Sequence, residues 1–298
     1  MEETVLSIRE LTKNYGRIKA VDNLSLDVKR GNVFGILGPN GSGKTTTLGI
    51  VLSVINSNGG SFSWFGKEPS KNDRKAIGAI LEVPIFYPYL SGEKNLEIIA
   101  DIKACSYEKI PEVLEIVDLT ARKKSKFRTY SLGMKQRLAI AAALVGEPEV
   151  LILDEPTNGL DPQGIAEIRE LILEIAKRGI TIILASHLLD EVQKICSHVI
   201  VLDKGKDIFT GKVSEIVNAS TLVEISAEDM SSLKKKLEEN ENVLSSEEEG
   251  NLVLVKLKDG YGIKDLNQQL ISLNITITHL SVRKKSLENY FLELMAEK

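Results

Sequence analysis

Gly38-Pro39-Asn40-Gly41-Ser42-Gly43-Lys44-Thr45-Thr46 fits the pattern Gly-x-x-x-x-Gly-Lys-Ser/Thr at every fixed position. Glycines let the backbone fold into a nest of N–H groups around phosphates, and the helix that follows turns the positive end of its dipole toward them. Lys44 adds a fixed cation, and the Thr45 hydroxyl is placed to ligate Mg²⁺. The flanks agree: Asn32-Val33-Phe34-Gly35-Ile36-Leu37 reads as a buried strand, and Thr45 to Leu52 as the helix that must follow. Gly38 through Thr46 are therefore candidate ligands of a nucleoside triphosphate.

Outward from this loop, residues 5 to about 218 alternate short β-branched runs with helical patterns, which predicts an α/β domain on a mostly parallel sheet. The strand candidates are Val5–Ile8, Leu24–Val28, Asn32–Leu37, Ser61–Phe65, Ile77–Leu81, Val150–Leu153, Thr181–Ala185 and His198–Asp203. Between 91 and 148 no strand pattern occurs. Leu96, Ile99, Ala100, then Val113, Leu114, Val117, then Leu138, Ala141, Ala142 and Val145 recur at helical spacing, as in an inserted helical subdomain.

The remaining segment, 219–298, is rich in Lys and Glu, and its patterns predict a second, α+β domain. Strands at Thr221–Ile225, Asn251–Leu257 and Ile275–Ser281, helices at Met230–Glu239 and Ile263–Leu273, and a weak strand near Val243-Leu244 give a β-α-β-β-α-β order. That is the order of a ferredoxin-like module. A last helix would align Leu287, Tyr290, Phe291 and Leu294 behind an N-cap at Ser286. The charge runs Lys234-Lys235-Lys236 and Glu247-Glu248-Glu249 read as solvated helix and turn surface.

Composition bounds the class. With 298 residues and 43% hydrophobic content, the chain can bury one large core and a smaller one. No apolar run approaches the roughly 18 to 20 residues of a membrane helix, and the acidic start Met1-Glu2-Glu3 predicts no signal peptide, so a cytoplasmic location is expected. Acidic residues number 42 against 38 basic, a net charge of -4, which argues against nucleic acid as a partner. Cys105 and Cys196 lack metal-ligand spacing and read as ordinary thiols.

A second nucleotide element is Val150-Leu151-Ile152-Leu153-Asp154-Glu155, an apolar strand ending in two carboxylates. Asp154 at a strand end can hold Mg²⁺ through water, and Glu155 beside it can orient and deprotonate an attacking water. Shortly before it, Ser131 can cap a helix from Leu132 to Val145 whose N-terminal amides form an anion site.

Together these residues resemble one family, the ATP-binding cassette (ABC) ATPases of the P-loop NTPase class, over residues 4 to about 218. Tyr130-Ser131-Leu132-Gly133-Met134-Lys135-Gln136-Arg137 resembles the family's signature motif Leu-Ser-Gly-Gly-Gln, with leucine and methionine replacing glycine and glutamine at 132 and 134. The resemblance implies that Ser131 and Gly133 act in trans, on ATP held by a second subunit. It implies also that Asp161, in Asn158-Gly159-Leu160-Asp161, faces the partner across the dimer, that His187 contacts the γ-phosphate, and that Tyr15 stacks on adenine.

After the strand at Ile77–Leu81 the family normally has a metal-reaching glutamine, where this chain has Glu82, still a hard oxygen donor. The segment from Glu82 to Gly92, with Tyr130 to Met134, is similar to the branch that serves bacitracin and lantibiotic self-protection exporters. The resemblance thus implies a Mg²⁺-dependent ATPase that pairs with a second copy or a paralogue. It would power export, of antimicrobial peptides in that branch, through a separate membrane permease at the inner face of the cell membrane. The competing reading is a soluble mechanical or regulatory ATPase of the same superfamily. No long heptad run and no second phosphate loop occur to favour it.

Overall fold

Five consecutive buried residues, Val33–Leu37, form β3, the strand on which the first part of the molecule is built. The computed structural model describes residues 3–70, 73–81, 85–215, 221–258, 260–284 and 291. It divides the chain into two units, Met1–Lys212 and Val213–Lys298. In the first, β3 runs parallel between β7 (Thr181–Ser186) and β8 (His198–Asp203). With β5 (Ile77–Ile80), β6 (Val150–Asp154) and β9 (Lys206–Lys212) they make a six-stranded sheet of order β5-β6-β7-β3-β8-β9. Only β9 is antiparallel to its neighbour. Strands covered on both faces read as unbroken apolar runs, which is why Val33–Leu37 and Val150–Leu153 stand out in the sequence.

Three of the eight strand candidates form a second sheet. The segments at Val5–Ile8, Leu24–Val28 and Ser61–Phe65 lie in β1 (Thr4–Tyr15), β2 (Ile18–Lys29) and β4 (Gly59–Trp64), a separate antiparallel sheet of order β2-β1-β4. The signal was present in β2: Leu24, Leu26 and Val28 are buried while Ser25 and Asp27 are exposed, the period of a sheet with one wet face. β9, which no sequence pattern marked, carries almost no buried residue and adds an edge by backbone pairing alone.

The phosphate-loop stretch continues into α1 (Lys44–Val51). Between residues 85 and 148 the described residues form helices, chiefly α2 (Gly92–Lys103), α3 (Ile110–Ile116) and α4 (Leu132–Leu144). Ser91 and Ser131 cap α2 and α4, each hydroxyl accepting the amide N–H three residues on at 3.2 Å. Lys103 ends α2 and donates its ammonium to Ala142 O and Ala143 O, where the negative end of the α4 dipole lies. Burial lowers the pKa of that lysine. After β6 come α5 (Pro162–Lys177) and, beyond β7, α6 (Leu189–Ile195).

The second unit has β10 (Thr221–Ala227), α7 (Met230–Glu238), β11 (Val243–Glu249), β12 (Leu252–Leu257), α8 (Ile263–Ser272) and β13 (Ile277–Lys284). Its antiparallel sheet has the order β11-β12-β10-β13, as in the split β-α-β module. The core is Val223, Ile225, Leu233, Leu237, Val253, Val255, Leu266 and Leu270. Lys234-Lys235-Lys236 lie on α7, but Glu247-Glu248-Glu249 form part of β11 rather than a turn. A solvated edge strand accepts consecutive charges, which also discourage pairing with another chain. The helix expected around Ser286, Leu287, Tyr290 and Leu294 lies outside the described residues. Cys196 is buried, which pushes its thiol pKa up, and Cys105 is half-buried; neither is in a disulfide.

Trp64 of β4 belongs to the apolar core that both sheets of the first unit share. It is fully buried, and its indole N–H donates to Val51 O at the end of α1 at 2.9 Å. We expect Trp64→Ala to cost about 3–5 kcal/mol, read as a lowered urea midpoint. The smaller change Trp64→Phe, which strands the Val51 carbonyl, should cost about 1–3 kcal/mol.

Candidate active site

The carboxyl ends of β3, β7 and β6 lie side by side, with Leu37 opposite Ser186 and Ala185 opposite Asp154. Each strand therefore delivers its next residues to the same edge of the sheet, where a doubly covered parallel sheet binds its ligands. β3 delivers Gly38 to Thr46, β6 delivers Asp154 and Glu155, and β7 delivers Ser186 and His187.

In the loop, Gly38 and Gly43 are glycines for steric reasons. Gly43 has φ of +106°, and a methyl group there would stand 2.3 Å from Ala20 O. At Gly38 a methyl would stand 2.3 Å from Leu202 O and 2.5 Å from Ser42 Oγ. At both positions the nearest atom is a backbone oxygen, which cannot swing aside as a side chain would. Gly205 N–H donates to Ser42 O at 3.0 Å, so the turn between β8 and β9 braces the loop from outside. Pro39, Asn40 and Gly41 are exposed at its tip, Thr45 is exposed, and Thr46 is half-buried.

Lys44 is buried, and its ammonium donates to Gly38 O at 2.8 Å and Pro39 O at 3.2 Å. Glu155 Oε1 lies 3.5 Å from the same nitrogen. The other carboxylate oxygen of Glu155 is 2.8 Å from His187 Nδ1. Lys44, more than a hundred residues from both Glu155 and His187 in sequence, thus forms one chain of contacts with them. Glu155 has φ of +48°, in the left-handed region that non-glycine residues adopt at a cost of about 1–2 kcal/mol. Such strain persists at functional positions where the surroundings fix the conformation.

Asp154 is buried at the end of β6. Ser42 Oγ is buried with no hydrogen-bond partner, an orphaned donor at the centre of the phosphate nest. A ligand rich in acceptor oxygens would satisfy it. Thr45 and Asp154 supply the hard oxygen donors that suit Mg²⁺. Glu82, the other expected metal ligand, lies outside the described residues.

The remaining candidates sit on separate elements. Tyr15 is half-exposed at the end of β1, with Lys13 Nζ 5.1 Å from its ring centroid. Ser131 caps α4 and Gly133 lies in its first turn, where a Cβ would meet nothing within 4 Å, so the surface over that turn is open. Asp161 is exposed and caps α5, its Oδ1 accepting from Gly164 N–H at 2.9 Å. Sequence reasoning quoted Arg137 but gave it no role. Its guanidinium donates to Asp118 at 3.0 Å and Glu167 at 2.6 Å, tying α4 to α5. Partners so distant in sequence leave no local pattern to read.

The two kinds of glycine should separate in binding measurements. Gly43→Ala, which drives a methyl into Ala20 O, is expected to abolish nucleotide binding in a calorimetric titration. Gly41→Ala meets only the strain of φ at +81°, with nothing within 4 Å. Its expected loss is about 1–2 kcal/mol, roughly five- to thirty-fold in affinity.

Residues 21–158 match the family model described as ABC transporter. Over 99% of its length the chain is 40% identical to 97% of YhcH, an uncharacterized ABC transporter ATP-binding protein of Bacillus subtilis. It is 38% identical over 98% of its length to 97% of the bacitracin transport ATP-binding protein BcrA of Bacillus licheniformis. A solved structure of the ATP-binding cassette MJ0796, dimeric and bound to ADP and Pi in a post-hydrolysis state, overlays 70% of this chain and 98% of its own at a TM-score of 0.61 and 25% identity. A phosphate loop, a strand-end acid pair and a capped signature helix on this cassette fold agree with those relationships, and the chain belongs to the ABC transporter family as an ATP-binding, ATP-hydrolysing subunit.

Proposed function

We propose that this chain drives export through a separate membrane permease, working as half of an ATP-closed dimer, and that its cargo is an antimicrobial peptide of the bacitracin or lantibiotic kind. The observation that supports the hydrolytic part is the run Lys44–Glu155–His187, which sets a carboxylate against the phosphate cation on one side and an imidazole on the other. In the resting chain Lys44 is shared between two loop carbonyls and Glu155. A γ-phosphate entering the nest draws the ammonium toward itself and leaves Glu155 to accept a proton from water. His187 holds the second oxygen of that carboxylate and fixes its direction. Thr45 and Asp154 would hold Mg²⁺, which when bound neutralises charge on the phosphates. Tyr15 offers a π face to adenine.

Ser131 and Gly133 present α4 amides to an anion, yet α4 is a separate element from the phosphate loop of its own chain. That supports a site completed by a second subunit, a copy or a paralogue, as does the dimeric state of the MJ0796 cassette. A partner in the membrane is supported by a cavity of about 360 Å³ between β5, α2 and α4, lined by Ala79, Ile80, Phe86, Ile99, Lys103 and Ala139. Ile85, also in its lining, is 95% exposed, and Tyr87 and Tyr89, close by in sequence, are exposed too. An apolar hollow with an exposed isoleucine in its wall suits an amphipathic segment of a permease. Among the described residues no helix is long and apolar enough to cross a membrane. We place the chain at the cytoplasmic face of the membrane. The similarity to BcrA supports the peptide cargo.

Three outcomes test this reading. Glu155→Gln should bind ATP with unchanged affinity, lose turnover by at least a hundredfold, and elute as a dimer with ATP on size exclusion; near-normal hydrolysis would remove Glu155 as the base. Lys44→Ala should lose ATP binding in the same titration. Ile85→Asp should leave the ATPase rate of the isolated chain unchanged while abolishing copurification of the permease from membranes, and retention of the permease would count against the docking surface.

A further inference from the structure

We propose that Leu132 is a positioning residue: resting on Gly159, it links the N-terminal turn of α4 to the loop that starts at Glu155, so that engagement of α4 by the partner's nucleotide sets the base within the same chain. This rests on the reading that α4 meets ATP bound by a second subunit.

Leu132 is the first residue of α4 and is 50% exposed. It stands where the family's signature motif has glycine. A methyl group added at Gly159 would lie 3.3 Å from Leu132 Cδ2, so the leucine side chain lies over that glycine in the space a Cβ would need. Gly159 has φ of +76° and sits in a run of tight turns, with Asn158 N–H donating to Glu155 O at 3.1 Å and Leu160 N–H to Thr157 O at 3.3 Å. Thr157 is buried, and Asp161 closes the run by capping α5. A loop so short and so fully hydrogen-bonded has little slack. A push on Gly159 is therefore passed to Glu155, whose left-handed backbone is already held against its preference.

A second connection makes the lever rigid. Five residues into α4, Arg137 pairs with Glu167 of α5 at 2.6 Å, and Gln163 donates to the other oxygen of Glu167 at 3.0 Å. Leu132 at the start of α4 and Arg137 one turn further on thus fix α4 to the loop and helix that follow the base. Glycine at 132 would leave the first of these connections unmade.

The test is steady-state ATPase kinetics of the full chain, with size exclusion in the Glu155→Gln background. For Leu132→Ala we expect kcat to fall about tenfold, since sub-ångström misplacement of a base is costly. KM should stay within about twofold and the Hill coefficient for ATP should drop toward one. Leu132→Met keeps the apolar reach and should stay near the parent in all three. The Leu132→Ala and Glu155→Gln double variant should still form the ATP-bound dimer, because the base is uncoupled while the interface is intact. Unchanged kcat and Hill coefficient in Leu132→Ala, or loss of the dimer in the double variant, would overturn the proposal. If Glu155→Gln alone forms no dimer, the underlying two-subunit reading fails, and the coupling falls with it.

Discussion

A buried lysine at the open end of a parallel sheet imposes the strongest constraint on this molecule. An ammonium removed from water must be paired or hydrogen-bonded, and Lys44 meets that demand with two loop carbonyls and Glu155. To present those carbonyls the loop must curl tightly, which forces glycine at 38 and 43. To present the carboxylate, β6 must end beside β7 and β7 beside β3, which fixes the strand order. Sheet topology, loop composition and catalytic geometry are in this sense one requirement seen at three scales.

The same arrangement gives the resting chain a defined electrostatic state. Glu155 and Lys44 are held against each other, with Oε1 3.5 Å from the ammonium nitrogen. Ser42 Oγ waits without a partner, so the nest favours its ligand in advance.

Much of this was legible in the sequence because the informative features are local. Nine consecutive residues reveal the phosphate loop, a doubly buried strand reveals Asp154 and Glu155, and a serine before an apolar helix reveals the cap at 131. What sequence hid was non-local. The strands β1 and β4 look like any β-branched runs until their pairing is known, and β9 is held by backbone hydrogen bonds that carry no side-chain pattern. Glu247 to Glu249 read as surface, correctly, but an edge strand and a turn have the same composition when both faces water. Arg137 shows its importance only through Asp118 and Glu167, residues brought near by the fold.

The backbone of Glu155 carries a further consequence, for how this position tolerates change. A residue held at φ of +48° would be more comfortable as glycine or asparagine, so the substitutions that relax the chain at this point are also the ones that remove its chemistry. On the role proposed for Glu155, a search for heat-resistant variants would be drawn toward 155 and would return well-folded proteins that no longer turn over. Robustness and activity are set against each other at a single peptide unit, and screening on expression or melting temperature alone would select for silence.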